Sequence, residues 1–156
     1  MPNNRTLLIA LAFTCFALIG GALYFQHVKD MAPCPMCVIQ RYAFLLVGFF
    51  ALVGASVKQP KAWISMALAS ALVGAGFVAR HLYVLANPGF SCGIDPVETF
   101  LNKIPTATLL PWLFKADGLC SDAGDLIMGL SLPQWSGVAF VAMVAGLAFM
   151  LVRRRG

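Results

Sequence analysis

Polar and apolar positions fall in long blocks along this chain. Four nearly uninterrupted apolar runs, at 7–25, 38–57, 62–85 and 132–152, are separated by more polar segments at 26–37, 58–61 and 86–131. Each run holds about 20 residues, and a helix of that length covers a hydrocarbon core of roughly 30 Å. The pattern predicts an all-α membrane protein, a four-transmembrane-helix bundle. The first run exceeds the apolar core of about 7 to 15 residues usual in a signal peptide and is expected to stay as an anchor. Small residues at helical spacing in the third run, Ala67, Ala71 and Ala75, predict close helix packing.

The long segment at 86–131 carries its own signals. Asp95, Pro96 and Glu98 form a capping-box arrangement, so a short helix is expected there, with Val97, Phe100, Leu101 and Ile104 on one face before Pro105. Leu109, Leu110, Trp112, Leu113 and Phe114 follow closely. Such an amphipathic element either lies flat on the bilayer or packs on the tops of the protein's own helices. Ser131 and Gln134 form a second capping box, which predicts the start of the fourth span.

Composition narrows the class. The 156 residues are 60% hydrophobic and 11% charged, and four spans with their loops consume the whole length as one integral-membrane domain, 1–156. A net charge of +5 would suit nucleic acid only as a basic stripe on a water-facing surface, but the basic residues cluster at the ends of apolar runs, so no nucleic-acid partner is expected. Arg5, Lys58, Lys61 and Arg153 to Arg155 fall on one side of the bundle, and Lys29, Lys103 and Lys115 on the other. The positive-inside rule makes the first side cytoplasmic, with both termini there. All six acidic residues then share the outer side with the 26–37 and 86–131 loops.

The cysteines are the chemical feature. Cys34, Cys37, Cys92 and Cys120 fall at or beyond the outer face, in an oxidising compartment, whereas Cys15 is mid-membrane and expected to be an inert small hydrophobe. In Cys34-Pro35-Met36-Cys37, Pro35 suits the first helical position, which places Cys34 at the cap and Cys37 in the first turn. Unpaired backbone N–H groups and the helix dipole favour a thiolate there. CxxC alone is shared with zinc ribbons, but zinc normally needs a second such pair or closely spaced histidines, and sequence spacing offers neither; no metal is expected. Arg41 follows Cys37 by one helical turn, where a cation opposes the dipole and is costly in lipid, so an anionic partner is expected, with snorkelling as the alternative. Cys92 and Cys120 each lie beside glycine and are expected in accessible, mobile backbone, either as a redox pair or as an inert structural disulfide.

Together these features resemble the disulfide bond formation protein B (DsbB) family, the quinone-linked oxidases of bacterial periplasmic disulfide formation. The resemblance covers essentially the whole chain. It rests on four spans, the Cys34/Cys37 motif opening the second, Arg41 four residues on, Cys92 and Cys120 in the last outer loop, and Leu132-Pro133-Gln134-Trp135 opening the final span. It implies an inner-membrane enzyme with disulfides Cys34–Cys37 and Cys92–Cys120. It also implies a periplasmic thioredoxin-like DsbA-type partner and a cofactor from the membrane quinone pool, ubiquinone or menaquinone. The relay implied runs from partner to Cys92, from Cys120 to Cys34, and from Cys37 to the quinone with Arg41 holding charge. His81, at the outer end of the third span, and Trp135 are the further cofactor-binding candidates; packing and the interfacial aromatic belt compete for them.

Three other readings stand beside this one. A vitamin K epoxide reductase-like enzyme also couples a membrane CxxC to loop cysteines, but with the loop pair earlier in the chain. A non-enzymatic membrane protein would use its cysteines structurally or as a set of four on zinc. A haem bundle would need His27 and His81 facing each other within the core.

Overall fold

The structure, a computed structural model, describes residues 3–87, 96–120 and 126–153. Four helices are long and apolar enough to cross a bilayer: α1 (Asn4–Val28), α2 (Pro35–Ser56), α3 (Lys61–Ala86) and α7 (Leu132–Arg153). They form the four-helix bundle expected for an all-α membrane protein, each running slightly past its apolar block because helical hydrogen bonding continues into the flanking polar residues. Asp30, with φ of 53°, turns the chain into the left-handed region just beyond α1. This is a conformation that Asp tolerates better than most side chains.

α2 packs between α1 and α3, and α3 packs on α7. The seam between α3 and α7 is tight because of glycine. A Cβ at Gly74 would collide with the Phe140 ring, and that ring is fully buried and stacked on Phe44 at 4.2 Å. The ring cannot swing aside without leaving its stack. Gly74→Ala is therefore expected to destabilise the bundle by about 1 to 3 kcal/mol, read as an earlier midpoint in thermal or denaturing-detergent unfolding. An unchanged midpoint would mean the seam relaxes freely. Ala67 and Ala71 are fully buried as their spacing predicts.

The connection after α3 is more structured than the single short helix expected. It contains α4 (Pro96–Lys103), α5 (Pro105–Leu109) and α6 (Pro111–Phe114), each opened by a proline, and then a hairpin of β1 (Leu126–Ile127) and β2 (Leu130–Ser131). Packing on the bundle accounts for part of its apolar residues. Leu101, Ala107, Leu113 and Phe114 are buried on the bundle, whereas Phe100, Leu109, Leu110 and Trp112 point outward. Tyr42 of α2 stacks on Phe114 at 4.4 Å and hydrogen-bonds the Thr106 hydroxyl, tying this cap to the second span. The hairpin turns through Met128 and Gly129, both with positive φ. In the expected second capping box the Ser131 N–H donates to Gln134 Oε1 at 2.8 Å. The Asp95 cap lies outside the described residues.

Candidate functional site

The α2 entrance is built as its sequence predicts. Pro35 takes the first helical position, Cys34 is the N-cap with extended backbone, and the Cys37 N–H donates to the Cys34 sulfur at 3.2 Å. One of the orphan donors of the helix start thus ends on sulfur. Cys34 and Cys37 are free thiols with their sulfurs 2.7 Å apart. Hydrogen bonding to Cys37, reinforced by burial, pushes the Cys34 thiol above the ordinary thiol range.

Arg41 is buried, and its guanidinium does not snorkel. Nη1 donates to Gln26 Oε1 at 2.7 Å and to the Leu113 carbonyl at 2.8 Å, so neutral acceptors on α1 and α6 hold it in place. Gln26 in turn donates to the Trp112 carbonyl at 3.1 Å. These acceptors hold Nη1 without themselves neutralising the guanidinium charge. That is useful where a negative charge forms transiently.

Arg41, Gln40 and Cys37 lie at the floor of a cleft of about 760 Å³ between α1 and α7. Its walls are mostly apolar, including Leu18, Ala22, Phe25, Pro133 and Ala139. Deeper in the bundle the same two helices meet where the Cys15 thiol reaches Met143 Sδ at 3.9 Å. Cys15 is fully buried there. Trp135 stands at the rim of the cleft, 40% exposed, with Nε1 donating to the Ile127 carbonyl at 2.9 Å. Arg41 and Trp135 thus line one cleft.

His81 does not line that cleft. None of its surface is exposed, and its ring is packed behind Cys34 with Nε2 3.8 Å from the Cys34 sulfur and Nδ1 3.3 Å from Gln40 Nε2. The Cys120 main chain also hydrogen-bonds the His81 ring. His27 is exposed, its ring on the Leu23 carbonyl of its own helix at 3.0 Å. The two histidines do not face each other, and the arrangement needed for axial haem ligation is lacking.

Cys120 corrects one expectation. It is disulfide-bonded, but far from being accessible it is buried, packed with Cys34, Met36, Val84 and Cys37. Gly118 provides close approach rather than mobility. The Asp117 and Gly118 N–H groups both donate to the Pro33 carbonyl, at 3.2 and 3.1 Å, and a Cβ on Gly118 would collide with the Ala32 carbonyl. Asn102 secures the approach from the other side, its side-chain amide exchanging hydrogen bonds with the Ala116 main chain at 2.9 and 3.0 Å. Cys92, with its expected pairing, lies outside the described residues.

Gln26 and Gln40 were not singled out from the sequence, and Gly118 was read there as a source of mobility. Gln40, a polar residue in an apolar helix next to a buried arginine, was the one available signal. Gln26 and Gly118 act across contacts that spacing along the chain does not reveal.

Comparison with known proteins places this geometry in a family context. A family model described as "Disulfide bond formation protein DsbB" matches residues 4–150. A protein named "Disulfide bond formation protein B" from Herminiimonas arsenicoxydans is 48% identical over 157 residues, covering 99% of each chain. Proteins of the same name from Burkholderia pseudomallei (strain 1106a) and Cupriavidus metallidurans are 44% and 39% identical. The Burkholderia alignment covers 100% of this chain and 94% of its relative, and the Cupriavidus alignment 97% and 95%.

Proposed function

This chain belongs to the disulfide bond formation protein B family, and from that premise we propose that it is a quinone-dependent protein thiol oxidase that re-oxidises a periplasmic thioredoxin-like, DsbA-type dithiol protein. In this reading it is one integral-membrane domain of the bacterial inner membrane, with both termini cytoplasmic and the cysteine loops periplasmic. The observation that carries the reading is the placement of Cys120 against Cys34 while Cys37, on the same helical turn, borders the cleft between α1 and α7.

The cleft suits a quinone in chemistry and shape. It is mostly apolar, bounded by membrane-spanning helices, and polar only where Cys37, Gln40 and Arg41 converge. When bound, a quinone supplies an acceptor for two electrons and two protons. The remaining steps belong to the chain's own sulfurs. A partner thiolate attacks Cys92 of a Cys92–Cys120 disulfide, forming a mixed disulfide and releasing Cys120 as a thiolate. A second partner thiol closes the partner's own disulfide and frees Cys92. Cys120 attacks Cys34 of a Cys34–Cys37 disulfide, and Cys37 leaves as a thiolate; the freed Cys92 then attacks Cys120, restoring Cys92–Cys120 and leaving Cys34 and Cys37 as the dithiol whose two electrons and two protons a bound quinone would accept. Arg41 stabilises that leaving thiolate, since thiol exchange runs faster when the departing sulfur holds its charge well. Burial of the Cys34/Cys120 cluster limits diversion of the exchange to small thiols.

The direct test is anaerobic turnover of the purified protein with a reduced thioredoxin-like substrate and a short-tailed quinone. One quinone reduced per substrate disulfide formed is expected. Substrate oxidation that proceeds equally without quinone would overturn the reading. Arg41→Ala is expected to slow quinone reduction by about 10- to 100-fold, on the order of what one preorganised charge contributes, with little change in formation of the mixed disulfide at Cys92. Comparing those two rates separates a role in the last step from general loss of structure.

A further inference from the structure

Beyond the electron route, and independently of it, we propose that the dithiol form of Cys34 and Cys37 together with His81 is a binding site for a thiophilic divalent cation of the zinc class. Three soft or borderline donors, two sulfurs and an imidazole nitrogen, all lie within 4.8 Å of one another. The Cys34 sulfur is 2.7 Å from that of Cys37 and 3.8 Å from His81 Nε2. Around tetrahedral zinc, with Zn–S of about 2.3 Å and Zn–N of about 2.0 Å, such donors stand roughly 3.5 to 3.8 Å apart. The Cys34–His81 edge already has that length, the Cys37–His81 edge lies within 4.8 Å, and the sulfur–sulfur edge needs to open by about 1 Å. Cys34 is an N-cap just outside α2, where a side-chain rotation supplies that opening without breaking the helix.

One neighbour is placed to orient the histidine ligand. Gln40 contacts the far ring nitrogen of His81 at 3.3 Å, the position from which an outer partner orients a ligating histidine. For Nε2 to offer its lone pair, the ring proton must sit on Nδ1, and Gln40 accepts it by presenting its amide oxygen. Binding moves no electrons: two metal–sulfur bonds and one metal–nitrogen bond form, the S–H protons pass to solvent, and a solvent ligand completes the set. Neither sulfur then remains free for disulfide exchange. Spacing along the chain hid this set, because 44 residues separate Cys37 from His81 and packing of α2 on α3 joins them.

The experiment uses full-length protein carrying Cys92→Ser and Cys120→Ser in detergent, reduced and then freed of reductant anaerobically, with Co²⁺ as the optical probe. One Co²⁺ per chain is expected, with thiolate-to-metal charge-transfer absorption, tetrahedral ligand-field bands and displacement by Zn²⁺. Oxidising Cys34 and Cys37 to the disulfide should abolish the spectrum. His81→Ala should weaken binding by more than tenfold, and Gln40→Leu by about tenfold while Gln40→Glu does not weaken it. A reduced sample with no such spectrum overturns the proposal, as does one whose spectrum survives oxidation. Equal affinity in Gln40→Leu and Gln40→Glu removes the orienting role and with it the assigned geometry, even if His81→Ala fails to fold. Neither partner nor quinone enters the measurement, so its failure leaves the thiol-oxidase reading untouched.

Discussion

Gly118→Ala is expected to remove most turnover while leaving the four spans folded. The added methyl has no free space, because it meets the backbone carbonyl of Ala32 rather than the movable end of a side chain. Relief requires the 116–120 segment to lift from Pro33, and that breaks both hydrogen bonds to the Pro33 carbonyl. Cys120 moves with the segment, away from Cys34. Misplacement of reacting groups by about 1 Å costs on the order of 100-fold in rate, and thiol exchange needs collinear sulfurs. The rate of Cys34–Cys120 bridge formation, trapped with alkylating agent and resolved on a non-reducing gel, should fall by at least that much. The helical circular dichroism signal should stay the same. A variant that exchanges at the normal rate would show that the contact with Pro33 does not position the reaction.

Cys37→Ala should have the larger effect on quinone reduction, a loss on the order of a thousandfold or more, as expected when a covalent participant is removed. Its selectivity is the informative part. Cys37 borders the cleft, whereas Cys34 faces Cys120, so the variant retains the outer exchange and loses only the exit of electrons. The mixed disulfide between partner and Cys92 should still accumulate, while Cys34, lacking a disulfide for Cys120 to attack, should stay a free thiol open to alkylation. Quinone reduction at the normal rate would refute the assignment of Cys37. Loss of the mixed disulfide as well would point to a folding defect instead.

The spans, the α2 entrance and the capping box of α7 were legible in the sequence, because each rests on local rules: apolar length, proline at the first turn, and a reciprocal cap three residues apart. Arg41 was legible as a site residue because a cation in an apolar helix announces itself. Its partners were not. Gln26 lies fifteen residues earlier and Leu113 contributes only a main-chain carbonyl, so neither carries a signal in residue type. Neutral acceptors hold the guanidinium in place, and the anionic partner expected for it, the Cys37 thiolate, stands within electrostatic reach. His81 was read as a cofactor-binding candidate with packing as the alternative, and it is buried outside the lining of the cleft. Packing of α3 on α2 turns it to the other side of Cys34. The glycine beside Cys120 suggested looseness by composition, yet a missing Cβ permits tight docking just as readily as motion.

The cleft lies between α1 and α7, two of the helices long and apolar enough to cross a bilayer, so a ligand there would enter from among acyl chains. For any tailed ligand the governing variable is then its mole fraction among lipids. Diluting a vesicle suspension with buffer leaves occupancy unaltered, whereas fusing in ligand-free phospholipid empties the site. A tail lying in the slot between α1 and α7 is also a spacer, so filling that slot with a bulkier side chain at Ala22 or Ala139 would exclude long-tailed ligands while still admitting a bare ring.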